Sequence, residues 1–430
     1  MGNIHAEWSY DAVLYEMNVR QFTPSGTLRE AAGRLGALRR MGVDAVWLMP
    51  VHPIGGKGRK GSLGSYYSVR DYTAVNPEFG TMADFDAFVA EAHSLGMKVL
   101  LDWVANHTAR DARWIDEKPA EWYVRDADGE PQVPWDWTDA AKLNYDCRDV
   151  WQGQVDAMRF WLEEHAVDGF RCDMAMLVPI EFWQYAVAQL RRVKPDLFML
   201  AEAEEQNLFD MAFDASYTWQ LHHLMNDVAQ CKYRVWPLRD YLYADAMRYP
   251  ATAMRLMFTS NHDENSWNGS EFRRMGDAVR VMAALTFVLP QGMPLIYTGQ
   301  EIGLDRSLSF FDRDPIENWE PNEYTDFYTR LCRIKHTNAA LRAGERGGAM
   351  VEIENNARDC MLSFVRESDG NRVVALFNLS PYTILADFDT GIYSGLYEDA
   401  MSGERYELPE HIRREMTPWS FRILTRNEQQ

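Results

Sequence analysis

The sequence predicts a closed (β/α)8 barrel, the TIM-barrel class of α/β fold, with an insertion after the third strand and an antiparallel β-sandwich domain at the C-terminal end. Three observations carry the prediction. Short apolar or β-branched runs recur along the chain, each followed by a polar loop and a helical period, the pattern of parallel βαβ units. Eight such runs can be counted, and eight strands close a parallel barrel. From about Gly344 the period changes to alternation with hairpin signals, which belongs to an antiparallel sheet.

The first strand is predicted at Val13 to Tyr15 and the second at Ala45 to Met49. A helix over Met82 to Leu95 places Phe85, Phe88, Val89 and Ala92 on one face and stops at Gly96, a C-cap residue. It leads into the third strand, Val99 to Leu101. From about Ala105 to Asp146 the chain is rich in Trp, Asp and Pro without periodicity, too long for a connecting loop, and is expected to leave the barrel and wall a cleft. A helix over Val150 to His165 precedes the fourth strand, Gly169 to Cys172, and the fifth follows at Phe198 to Ala201. A weak run near Ala212 to Asp214 is the sixth; Leu256 to Thr259 and Leu295 to Tyr297 complete the set. The longest apolar run, Val281 to Tyr297, contains Gln291 and is cut by Pro290, Gly292 and Pro294, so it reads as a buried helix and a buried strand rather than a membrane span. Alternation over Met361 to Val365 and Val373 to Leu376, with turns at Asp369-Gly370 and Ser402-Gly403, builds the last domain. The expected division is barrel 1–104, insertion 105–146, barrel 147–343 and β domain 344–430.

With 47% hydrophobic and 25% charged residues, the 430-residue chain can bury a large core. Its 44 Lys and Arg against 64 Asp and Glu give a net charge of −20, which repels phosphate backbones and anionic lipid; neither nucleic acid nor a membrane is an expected partner. Of the 15 Trp, 20 Tyr and 20 Phe, one part serves the core and another suits flat apolar ligands such as sugar rings, a division that composition alone does not make. Five scattered cysteines argue against a disulfide framework or zinc ribbon. The N-terminal stretch lacks a basic region followed by an apolar one, so a cytoplasmic location is expected.

In a parallel barrel the active face lies at the C-terminal strand ends. After the third strand come Asp102, Asn106 and His107; the fourth supplies Arg171 and Asp173, the fifth Glu202, and the seventh Asn261-His262-Asp263. One Asp after a strand is more often a helix N-cap, and a lone His more often a satisfied core residue. Four strand ends supplying such groups together point instead to chemistry. Glycoside hydrolysis needs this inventory: one carboxylate as nucleophile or stabiliser and a second, of raised pKa, to protonate the leaving oxygen. Arg171, on the same strand face as Asp173, is expected to keep Asp173 ionised, which leaves Glu202 as the group with the raised pKa.

The same stretches resemble the α-amylase superfamily of retaining glycosidases. Asp102-Trp-Val-Ala-Asn-His107, Gly169-Phe-Arg-Cys-Asp173, Glu202 in Leu-Ala-Glu-Ala, and Phe258-Thr-Ser-Asn-His-Asp263 look like its four catalytic regions in order. Gly42 to Pro50, Tyr67 to Thr81 and Gly299-Gln-Glu-Ile-Gly303 are further matches, and the resemblance covers the whole chain. It implies Asp173 as nucleophile, Glu202 as general acid/base and Asp263 as the carboxylate holding sugar hydroxyls. It further implies that His107, Arg171 and His262 hydrogen-bond the glucosyl unit, that Tyr67 stacks beneath it and that Asp102 is structural. The implied substrate is an oligosaccharide or α-glucan, with no cofactor required. Many α-amylases carry a Lys and a His just after the nucleophile; Met176 and Leu177 stand there, and neither can ligate calcium, which speaks against the usual calcium site although Asn106 is present.

Other readings compete. A transglycosylase or isomerase uses the same site, and Lys142-Leu-Asn144 resembles the corresponding stretch of neopullulanases and cyclomaltodextrinases. A metal-dependent barrel hydrolase would bind its ion through Asp102, His107, Glu202, His262 and Asp263. A non-catalytic carbohydrate-binding relative would usually have lost one of the three carboxylates. Gly56-Lys-Gly-Arg-Lys-Gly61 matches a dinucleotide fingerprint but does not open a helix, so it is expected to be a mobile basic loop at the cleft rim.

Overall fold

The computed structural model describes residues 5–427. Eight parallel strands close the barrel: β1 (Leu14–Met17), β2 (Ala45–Leu48), β3 (Lys98–Trp103), β4 (Gly169–Cys172), β5 (Phe198–Ala201), β6 (Ala215–Tyr217), β7 (Met254–Met257) and β8 (Gly292–Tyr297). They pair in sequence order, and β8 returns to β1 through Leu14↔Leu295. Successive side chains point to opposite faces. Leu14, Trp47, Leu100, Leu200 and Leu256 therefore fill the lumen, while Tyr15, Val46, Leu101, Phe170 and Met199 pack against the surrounding helices. Cys172 follows the outward parity and is fully buried in that outer core.

All strands but the sixth overlap their predicted runs. The sixth was expected at Ala212 to Asp214 and is found three residues later, because Ala-Ser-Tyr carries almost no apolar signal. Asp214 instead ties the strand starts together: it accepts the Met199 N–H at 2.8 Å and pairs with His5 at 2.6 Å and Arg191 at 2.9 Å. The helix Met82–Ser94 starts on a capping box between Thr81 and Asp84, and Gly96 beyond it takes a left-handed φ of 73°. The long apolar run divides as expected, into the helix Val279–Val288 and β8. No helix among the described residues is long and apolar enough to cross a membrane.

Between β3 and β4 the chain leaves the barrel. Two short strands, His107–Ala109 and Ala140–Lys142, pair antiparallel there, over a small core of Trp122, Tyr123 and Leu143. After the barrel comes a six-stranded antiparallel sheet that includes Met361–Ser368, Asn371–Asn378 and Phe421–Asn427, and a two-stranded sheet of Ile384–Asp389 with His411–Met416. Val374 and Leu424 from the first sheet share one core with Phe388 and Met416 from the second, a sandwich arrangement.

Arg366 fastens this sandwich to the barrel. Its guanidinium is fully buried and donates to the carbonyls of Val288 (3.0 Å) and Leu289 (2.8 Å) at the end of the helix before β8, and to those of Gly348 (2.7 Å) and Arg342 (3.2 Å). The last carbonyls of a helix lack internal partners, and a cation there also meets the negative end of the helix dipole. Replacing Arg366 by Met keeps the volume but strands four buried acceptors. Arg366→Met should lower unfolding free energy by about 3 kcal/mol or more in a denaturant titration; an unchanged midpoint would show that this junction contributes nothing.

Candidate active site

The barrel's inward parity converges on one buried guanidinium. Arg171 on β4 is the Cα partner of Asp102 on β3, and both point into the lumen. Arg171 Nη1 lies 2.9 Å from Asp102 Oδ1 and 3.2 Å from Asp173 Oδ1, and Nη2 lies 2.9 Å from Glu202 Oε2. The Glu202 contact is an ion pair without the alignment of a hydrogen bond. The faces of Trp47 and Tyr217 lie 4.8 and 5.6 Å from the guanidinium carbon, so the cation is enclosed by rings where carboxylates do not reach it. Asp102 is fully buried and accepts from Arg171, from Trp47 Nε1 at 3.1 Å and from the Tyr67 hydroxyl at 3.0 Å.

Across the lumen, a second cation faces this group. His262 Nδ1 lies 2.5 Å from Glu16 Oε1, and Nε2 lies 2.8 Å from the Tyr67 hydroxyl and 3.3 Å from Asp263 Oδ2. Tyr67 has one hydroxyl hydrogen and gives it to Asp102, so Nε2 must donate. Nδ1 faces a carboxylate and must donate too, which makes the ring an imidazolium. Burial opposes that charge, but Asp263 and Glu16 outweigh it and hold the His262 pKa up at about 9.

Burial pushes the Asp173 carboxyl well above its ordinary range, reinforced by Glu202, and burial likewise pushes Glu202 up. The two therefore titrate together, both shifted toward the protonated form. This corrects the expectation that Arg171 favours ionised Asp173 alone: the guanidinium touches both, and Glu202 Oε2 also accepts the Met174 N–H at 2.9 Å.

Asp173, Glu202, Asp263, His262, His107 and Tyr67 all line one cavity of about 220 Å³. Burial depresses the His107 pKa to about 4, so the ring is neutral. The Asn106 amide donates to its Nδ1 at 3.2 Å, which leaves the proton on Nε2. Tyr67 stacks on His262 with centroids 5.3 Å apart and planes at 25°. Asp102, Asn106 and Arg171 stand behind the lining and hold it.

Met176 and Leu177 occupy the turn after β4 and offer no side-chain oxygen, while the Asn106 amide nitrogen is turned to His107. Of these side chains only Asn106 Oδ1 could ligate, short of the roughly six to eight oxygens that calcium takes. The alternative metal set fits no better, because a doubly donating His262 cannot ligate and Asp102 is engaged by three donors.

Sequence reasoning missed Glu16, Trp47, Trp267 and Phe310. Glu16 carried a signal, a charge at inward parity in the first strand. Trp267 and Phe310 line the cavity from a helix end and an aperiodic segment, with no signal of their own, whereas Trp137 lines it from the Trp-rich insertion expected to wall a cleft. The glycine-rich loop is at the rim as expected but fastened rather than loose. Gly56 N–H donates to Asp111 at 2.9 Å, Ser62 N–H to Asp312 at 2.7 Å and Leu63 N–H to the Phe311 carbonyl at 3.0 Å, and Lys60 lies 3.5 Å from Asp139.

The folded pKa of His262 exceeds the ordinary 6.5, so its contribution to stability is complete below pH 6.5 and is lost as pH rises through about 9. Glu16→Gln removes one of the two supporting carboxylates. It should lower the titration midpoint of the ring, followed by NMR, by about 1 pH unit or more; an unmoved midpoint would contradict the pairing.

Comparison with known proteins follows the same lines. The family model for the alpha amylase catalytic domain matches residues 16–140 and 120–330. Alpha-amylase MalA of Haloarcula japonica is 29% identical over 417 residues, 91% of this chain and 60% of that one. An alpha-1,4-glucan:maltose-1-phosphate maltosyltransferase of Arcanobacterium haemolyticum is 36% identical over 450 residues, 89% of this chain and 61% of that one. The chain thus spans about three fifths of the length of these two relatives. Among solved structures, a maltogenic alpha-amylase AmyB of Thermotoga neapolitana superposes with a TM-score of 0.88 at 27% identity, covering 97% of this chain and 99% of that one. An alpha-amylase of Lactobacillus plantarum does so with 0.87 at 29%, with the same coverage. On fold, strand-end chemistry and sequence together, the chain belongs to the α-amylase family.

Proposed function

We propose that the protein is a retaining glycoside hydrolase that cleaves α-glucosidic bonds, of the α-1,4 type, in maltooligosaccharides or α-glucans. The observation that carries the reading is the pair Asp173 and Glu202 on neighbouring nitrogens of one guanidinium, opening onto a cavity walled by aromatic rings. Adjacent fork positions favour the short carboxyl spacing, about 5 Å, that a covalent intermediate requires. In this reading Asp173 attacks the anomeric carbon as the bond to the leaving oxygen breaks, and Glu202 gives that oxygen the proton. Glu202 then takes a proton from water, whose oxygen attacks the same carbon and frees the Asp173 carboxylate. The upward shift of the buried pair favours the protonated carboxyl that the first step consumes. A leaving oxygen seated at Glu202 needs that proton and biases it there, while Arg171 stays on Asp173.

The remaining roles follow from position. Asp263 is proposed to hold sugar hydroxyls, with the neutral His107 donating through Nε2 and the charged His262 donating beside it. Arg171 positions the carboxylates, Tyr67 presents a ring to the sugar face, and Asp102 and Asn106 support the lining. We also propose barrel segments 1–104 and 147–343, an insertion 105–146 and a β domain 344–430 as the domain division.

Transglycosylation is the second reading. It needs a sugar hydroxyl in place of water in the second step, and a relative named as a maltosyltransferase is 36% identical.

Two outcomes are expected. Asp173→Asn should lower kcat on maltooligosaccharides on the order of a thousandfold or more while circular dichroism stays native; near wild-type turnover would remove Asp173 from the nucleophile role. Proton NMR of early hydrolysis should show the α-anomer first, and an initial β-anomer would rule out retention.

A further inference from the structure

Trp135 is poorly explained by folding. It lies in the inserted segment and is 61% exposed, and its φ of 48° is in the left-handed region that bulky L-residues avoid. A tight turn produces this conformation: the Trp137 N–H donates to the Pro134 carbonyl at 3.0 Å, and Trp135 is thrown outward between them. A residue that occupies an unfavourable backbone conformation and leaves most of a large apolar ring in water contributes little to the core.

The ring is nevertheless continuous with the cavity. Trp135 lies 4.8 Å from Trp137, and Trp137, which lines the cavity, lies 5.1 Å from His107 beside the reacting carboxylates. Three rings thus run from the inside of the cleft to the protein surface. The cavity of about 220 Å³ is smaller than the roughly 300–1,000 Å³ that holds a drug-sized ligand, so a chain of several sugar rings must pass beyond its mouth. The surroundings of Trp135 select a neutral partner: Asp136 adjoins it, and Asp126, Asp128 and Glu130 are exposed on the same insertion, which repels anionic lipid.

We propose that Trp135 is a binding platform outside the cavity, on which a glucosyl unit of a longer α-glucan chain stacks its apolar face. The assignment rests on the α-glucan reading given above and adds a subsite to it. A platform distant from the reacting carbon holds ground state and transition state alike, so its loss raises KM and leaves kcat.

The test is kinetics over the series maltotriose to maltoheptaose, for the wild type, Trp135→Ala, Trp135→Phe and Trp135→Asn. The Ala and Asn variants should lose about three- to tenfold more kcat/KM on maltoheptaose than on maltotriose, through KM, and Phe should recover most of the loss. Asn tolerates a positive φ, so Trp135→Asn should melt no lower than the wild type while still losing long-chain affinity. An equal loss at every chain length, no loss at any, or a lower melting temperature for the Asn variant would overturn the platform. So would a change of mass in light scattering, which would place a second copy of the chain on the indole. A wild type inactive on the whole series would instead refute the α-glucan reading.

Discussion

The ion cluster around Arg171 is the constraint on which the rest of the barrel depends. Removing a charge from water costs several kcal/mol, and Arg171 is fully buried. The burial is tolerable because Asp102, Asp173 and Glu202 all lie within 3.2 Å and aromatic faces cover the remaining surface. The dependence runs both ways, since three buried carboxylates could not face one another without the cation. Glu16 and His262 continue the compensation across the lumen. Four buried carboxylates then meet two cations, and burial shifts Asp173 and Glu202 toward their protonated forms. The same shift is the one that a carboxyl donating a proton needs.

Closure of the sheet makes such a cluster affordable. Glu16 and His262 are 246 residues apart, yet they meet because β1 and the end of β7 flank β8 in one ring. Hydrogen-bond ladders fix the register, as in Asp102↔Arg171, and strand parity directs both side chains inward. Little is left to side-chain rotation. Groups mounted on strand ends hold their spacing more tightly than groups on loops, which suits carboxylates that must stay on one guanidinium.

Much of this was legible before the structure. Parity and strand-end position identify Asp102, Arg171, Asp173, Glu202 and Asp263, because both rules act within a few residues of sequence. The sixth strand was misplaced since Ala-Ser-Tyr has no apolar signal and its neighbour Asp214 is buried for a different reason. The balance between Asp173 and Glu202 was misread because the direction of Arg171's two Nη atoms depends on the packing of Trp47 and Tyr217 around it. Trp267 and Phe310 were invisible for a general reason: segments without a clear period take their conformation from distant partners.

The cavity therefore has two parts with different physical origins. Its floor is built from strand ends whose charges compensate one another, so altering any one of them disturbs all the rest. Its walls come from the inserted segment, the glycine-rich loop and the loop after β8, held by contacts such as Lys60 to Asp139 and Ser62 to Asp312. Partly exposed contacts of this kind each contribute little, and replacing one leaves the buried charge balance unchanged. In the proposed reading, substitutions in the walls can alter which sugar enters and how far it extends without altering the charges on Asp173 and Glu202. The floor, by contrast, depends on mutual charge compensation, and that is why the proposed reaction class is legible at strand ends whose sequence neighbours say little about the walls.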